Sequence, residues 1–159
     1  MLAWLTQTTL GKILATFFIS MVPVVELRLG LPYGIALGLP YGAALAAAIA
    51  GNLLPTPFII VFVRQVFAWL RRKSRRLDNW IAKLEKKGND KGDLVTKYGP
   101  LGLCLLVAIP LPGTGAWTGA LVAAMLDLRL RRAMPAIIVG VLIAAGIMTA
   151  ITYGVIHIL

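Results

Sequence analysis

Acidic residues and cysteine are both scarce in this 159-residue chain, and long stretches of it carry no charge at all. The single cysteine, Cys104, excludes an internal disulfide and any cysteine-based metal site. No nucleophile is paired with a base, no metal-ligating residues cluster, and no phosphate-loop glycine pattern occurs. The chain therefore reads as a non-enzyme with no cofactor and no metal. Six acids against sixteen Lys and Arg leave a net charge of +10, which in a soluble domain would point to nucleic acid. The placement of that surplus argues otherwise. Ten of the sixteen basic residues lie between Arg71 and Lys97, and Arg129, Arg131 and Arg132 follow as a second cluster. Basic clusters that flank apolar segments belong to cytoplasmic loops and to anionic headgroups, so a membrane replaces nucleic acid as the expected partner.

What the chain has in abundance is apolar sequence. At 59% hydrophobic residues and a mean hydropathy of +0.86 it is too apolar for an ordinary soluble domain, and it reads as one all-α integral membrane unit over residues 1–159. Only Lys12 precedes the first apolar run and no small-residue cleavage site follows it, so this segment is read as retained. Residues 13–25 are uncharged but too short for the roughly 20 residues that cross about 30 Å of hydrocarbon. Residues 29–63 are uncharged for so long that one helix would reach about 50 Å, so a break is required, and Pro40 is the expected place. Residues 31–38 are then a returning half-helix, and about 41–70 a full crossing bent by Pro55 and Pro57.

Residues 98–126 are uncharged and hold Pro110-Leu-Pro-Gly-Thr-Gly115, a sequence that cannot continue a helix. If this stretch crossed the bilayer, the basic clusters at its two ends would face opposite sides, against the positive-inside tendency. A hairpin that dips in and returns keeps both clusters cytoplasmic, provided that protein or a watered cavity covers its turn. Residues 133–159 then cross once. The layout repeats: a broken hairpin and a span over 9–70, a basic linker over 71–97, and a second hairpin and span over 98–158. With one span between them the hairpins are re-entrant from opposite faces, the inverted repeat of many secondary transporters. In the linker, Leu77, Trp80, Ile81 and Leu84 share one face of a helix over 74–87 whose other face is basic, which suits either a cytoplasmic amphipathic surface helix or a solvated connector.

Glu26 and Arg28 stand out because ionisable residues at membrane depth are costly unless paired or watered. Two residues apart, they either pair with each other or find separate partners. One reading is a structural ion pair that locks the hairpin tip; the other is a transport site in which Arg28 meets an anionic group and Glu26 carries a coupling proton. In the second hairpin Gly113 and Gly115 free the backbone around Pro112, and Thr114 is expected to cap a half-helix beginning near Ala116. The unpaired N–H groups of that helix would welcome an anion. Trp117 walls such a site or packs on an acyl chain, and Thr118 adds a hydroxyl. Gly30, Gly34, Gly38 and Gly42 recur every fourth residue, a spacing that brings helices close and that fits homodimerisation as well. The duplicated Leu31-Pro-Tyr-Gly34 and Leu39-Pro-Tyr-Gly42 are expected to bend the chain on either side of a half-helix. Asn52 is expected to bond between helices, Arg64 to reach a headgroup, Asp127 to pair with Arg129 or Arg131, and Trp4, Trp69 and Trp80 to sit at interfaces.

Glu26-Leu-Arg28-Leu-Gly-Leu-Pro32 followed by Ile109-Pro-Leu-Pro-Gly-Thr-Gly-Ala-Trp-Thr-Gly119 resembles the small multidrug export protein family of prokaryotic membrane proteins, over essentially the whole chain. That family is distantly similar to the DedA superfamily, which the resemblance gives two facing re-entrant hairpins and proton-dependent lipid transport. By the resemblance Glu26 corresponds to the acidic residue of the first DedA hairpin. DedA members carry arginines in the second hairpin, and this chain has none between Lys97 and Arg129. The expectation is a transporter in a prokaryotic inner membrane, with 71–97 and 129–132 cytoplasmic. Its substrate is amphipathic with an anionic headgroup, of the undecaprenyl phosphate type. Export of small amphipathic cations and a non-transporting scaffold are the alternatives.

Overall fold

In the computed structural model, which describes residues 7–73, 79, 82, 83, 86, 92–111 and 113–158, the chain folds into helices, and no strand occurs among the described residues. Thr8 opens the first, α1 (Thr9–Met21), by accepting the Gly11 N–H at 3.1 Å through Oγ1. The chain turns over residues 22–25 and returns as α2 (Glu26–Ala36). The two helices are antiparallel. Ser20 stands against Gly30, Thr16 against Gly34, and Lys12 nearest to Gly38, so each step of four along one helix meets a step of four along the other. Thr16 and Ser20 are wholly buried there, and their hydroxyls donate back to the Lys12 and Thr16 carbonyls at 2.8 Å, leaving no polar hydrogen unpaired. Gly30 and Gly34 of the stripe thus serve close packing, Gly38 supplies a left-handed turn at φ 78° after α2, and Gly42 faces open space.

Pro40 precedes α3 (Tyr41–Leu53), and after a break at Leu54 the chain continues as α4 (Pro55–Lys73). Proline at position 55 has no N–H to give the preceding turn, which accounts for the break. The stretch Tyr41–Val63 is long and apolar enough to cross a membrane. At Leu31-Pro-Tyr-Gly34 the helix is not interrupted: α2 runs through Pro32. A proline removes one helical hydrogen bond, and the tight seating of Gly30 and Gly34 on α1 outweighs that loss.

The second half begins with α5 (Pro100–Ala108), breaks over 109–115, and returns as α6 (Ala116–Met125). The last helix, α7 (Leu130–Ile158), contains the second stretch able to cross a membrane, Leu130–Gly154. Here α5 lies on α7 as α1 lies on α3: Gly140 is pressed against the Cys104 backbone, and Gly51 against the Phe17 backbone. Leu27, Leu31, Leu103, Val107, Ile137 and Val141 are among the fully buried residues, so one core joins the two halves. At one end of the long helices the Tyr41 and Thr149 hydroxyls bond at 2.6 Å, and the Tyr41 and Tyr153 rings meet edge to face. The expected surface helix over 74–87 lies outside the described residues, apart from isolated helical positions.

Candidate functional site

The two breaks face one another, and each is closed by side chains from the other. Where α6 starts, its first N–H groups have no helical partner, and Gly115, the residue before it, offers no side-chain cap. Glu26 supplies the cap from α2. Its Oε1 accepts the Trp117 N–H at 3.1 Å. A carboxylate at this end also complements the helix dipole. Gly115 stands at φ 127° and ψ −171°, open to glycine alone, and a Cβ there would overlap the Glu26 carboxylate. Glu26 is 3% exposed, so its charge is met by a backbone donor and not by water.

Arg28 does the converse for the end of α5. Its Nη1 donates to the Leu111 carbonyl, and its Nη2 donates to the Ile109 carbonyl at 3.2 Å and to Thr114 Oγ1 at 2.8 Å. Carbonyls left over after a helix attract a cation for the same reason that leftover N–H groups attract an anion. Among the described residues no ion pair joins Glu26 to Arg28; the acid closes the start of one helix, and the base the end of the other.

Several expectations are corrected here. Thr114 does not cap α6. Its hydroxyl sits among the Ile109 and Leu111 carbonyls, accepts the Leu111 N–H at 3.2 Å, and receives Arg28. At the start of α6, expected to await an anion, the Trp117 N–H is already bonded to Glu26. Thr118 donates to the Gly113 carbonyl at 3.1 Å, closing the turn, and Gly113 is exposed at φ 78°. Pro112 lies outside the described residues. Trp117 is half-buried, and its indole Nε1 donates at 3.0 Å to the carbonyl of Met21, the last residue of α1, so the second hairpin closes the first in return. The side chain of Arg64, and all of Trp4 and Trp80, lie outside the described residues. Trp69 is exposed, and Asp127 stands at φ 61° where α6 ends.

The first tip is strained. Val24 has φ 77° and Glu26 φ 48°, each a left-handed conformation costing about 1–3 kcal/mol. Val24 is β-branched and 85% exposed, so its own packing does not impose that backbone. The cross-tip bonds of Glu26 and Arg28 hold it.

Beside the tips runs an open groove of about 400 Å³ lined wholly by apolar residues, with Met21 and Trp117 at the tips, Leu54 at the break before α4, and Phe58, Phe62 and Val66 along α4. Phe58 and Phe62 stack, their ring centres 6.5 Å apart. The sequence reading missed this wall, although Phe58, Phe62 and Val66 at intervals of four mark one helix face. It also missed the carbonyls of Met21, Ile109 and Leu111, since a backbone acceptor leaves no trace in residue type. Asn52, expected to bond between helices, is 3% exposed, and its Oδ1 accepts no hydrogen bond.

Residues 26–147 match the model of the family described as "Putative small multi-drug export protein". No curated protein and no solved structure matches the chain. The matched stretch covers most of the chain, begins at Glu26 just after the first tip and contains the whole second tip, and the protein belongs to this family. With two helices long and apolar enough to cross a bilayer, it is a membrane protein.

Proposed function

We propose that the protein exports amphipathic small molecules across a prokaryotic inner membrane by alternating access at the two tips. The reading rests on one observation: charged groups of the first hairpin close the backbone break of the second, directly beside an apolar groove that ends on Trp117. A latch made of hydrogen bonds to backbone, holding a strained turn, has two arrangements within reach, closed as seen here or released. The groove offers the apolar part of a substrate a wall of aromatic and aliphatic side chains. Glu26 becomes available to a cation or a proton only when it leaves the start of α6, which ties charge movement to release.

In this reading α1–α2 and α5–α6 are re-entrant hairpins of an inverted repeat. At 13, 11, 9 and 10 residues, their helices reach only about 14–20 Å at 1.5 Å per residue, half of a bilayer core. The equivalent seating of Gly51 on α1 and Gly140 on α5 supports the same symmetry. Residues 71–97 and 129–132 are then cytoplasmic.

A second reading, carriage of a polyprenyl phosphate, is favoured by Arg28, whose acceptors are all neutral. An anionic headgroup would satisfy its charge better than carbonyls do. Liposomes bearing purified protein separate the two. A lipophilic cation is expected to be transported, with Glu26→Gln abolishing the movement. Transport of the polyprenyl phosphate alone, lost in Arg28→Ala, would replace the first reading with the second. Movement of neither, with both variants only less stable, would leave a scaffold.

A further inference from the structure

The tip of the first hairpin leaves main-chain groups without partners. Among the described residues no hydrogen bond reaches the carbonyl of Pro23, nor the N–H or the carbonyl of Val24. The neighbouring bonds pass them by: the Glu26 N–H goes to the Val22 carbonyl, and the Leu29 N–H to that of Val25. In the re-entrant placement proposed above this tip lies deep in the hydrocarbon, where a backbone group that meets lipid unpaired is strongly disfavoured. Irregular backbone at that depth needs water or protein beside it. The surroundings favour protein. Val22, Val24 and Leu29 of the first hairpin and Ile109 and Leu111 of the second are all exposed. Leu29 adjoins the second pair, because Arg28 beside it bonds the Ile109 and Leu111 carbonyls. Water is held by polar surroundings, and this rim is apolar. None of its five residues lines the groove along α4.

We infer that a second copy of this chain covers the first tip, across a two-fold axis that runs along the membrane normal beside Val24. Two copies inserted in the same sense hold this tip at the same depth, so like meets like. A residue with a free donor and a free acceptor suits such an axis. Each Val24 gives its N–H to the other copy and takes one in return, as opposed residues do in an antiparallel pair. The hydrogen bonding of the tip is complete only in the pair, and the groove stays open to substrate. The inference rests on the re-entrant placement of the hairpins and not on the choice of substrate.

Oxidative cross-linking of the full chain in membranes tests this, with Val24→Cys in a Cys104→Ala background. Leu142→Cys, exposed on α7, is the control for chance encounters. Val24→Cys is expected to form a disulfide-linked dimer about tenfold faster than Leu142→Cys, because the bond needs Cα atoms within about 7 Å. Its yield should hold when the membranes are diluted with added lipid, whereas that of chance encounters falls. Val22→Cys, also at the tip, gives a second position should Val24→Cys melt well below wild type. Absence of the cross-link, or a yield that falls on dilution as the control does, would overturn the inference. The reactivity of the uncross-linked thiol then separates two failures. Reaction with a small water-soluble methanethiosulfonate alone would mean that water covers the tip, and the re-entrant placement would stand. Ready reaction with a bulky membrane-impermeant maleimide would put the tip at the membrane surface, and the placement would fall with the inference.

Discussion

At the scale of single residues, the site turns on where helix ends place their charge. Glu26 and Arg28 are two positions apart, yet each serves the end of the helix that suits its sign: the carboxylate at the first N–H groups of α6, the guanidinium at the carbonyls of the turn after α5. Neither would sit as well in the other's place. Gly115 is what lets the carboxylate in, because its backbone conformation is closed to other residues and a Cβ would occupy the Glu26 oxygens. Gly115→Ala should therefore cost about 2 kcal/mol or more, combining backbone strain with an expelled buried charge. Thermal melts of the purified variant check this. A melting temperature equal to that of wild type would mean that Glu26 is not held as described.

At the scale of elements, the first hairpin is a ladder of small residues. Gly30 and Gly34 meet Ser20 and Thr16 at distances that leave no room for a methyl group, whereas Gly42 has nothing within 4 Å. The same residue type on the same spacing thus predicts opposite responses. Gly34→Leu should force α2 off both α1 and α3 and leave little folded protein. Gly42→Ala should be neutral or stabilise by about 0.5–1 kcal/mol through reduced freedom of the unfolded chain. Yields of monodisperse protein and melting temperatures, measured side by side, test the contrast; equal damage by both would refute the ladder. Lengths of uncharged sequence made the helices and breaks legible, since about 1.5 Å per residue against a fixed bilayer leaves few choices, and Pro40 and the 110–115 turn fall where that arithmetic requires a break. The composition of Glu26, Arg28 and Trp117 likewise singled them out. Their partners were not legible, because the partners are carbonyls and N–H groups supplied by the opposite hairpin. Thr114 misled for a related reason: residue type and position fit a cap, but a carboxylate from elsewhere had already filled the place. Pro32 misled because a local breaker was overruled by tertiary packing.

At the scale of the whole molecule, the charge pattern and the closed tips make one joint demand on topology. The carboxylate of α2 reaches α6, and the guanidinium two residues further on reaches the end of α5, so the two breaks lie at a common depth. From that depth α5 extends only 9 residues and α6 only 10, about 14–15 Å each, back toward Lys97 on one side and Arg129 on the other. If α5 and α6 form a re-entrant hairpin, these two basic residues emerge on the same face of the membrane, as the clustering of cationic charge favours. If instead the segment crosses, they emerge on opposite faces. Single cysteines at Lys97 and Arg129, placed in a Cys104→Ala background, should react with a membrane-impermeant maleimide from the cytoplasmic side of oriented vesicles, both within the same time and neither from outside. Reaction from opposite sides would remove the second hairpin, and with it the inverted repeat and any alternating access at the tips. The contacts of Glu26 with α6 would remain, now as the cap of an ordinary broken span.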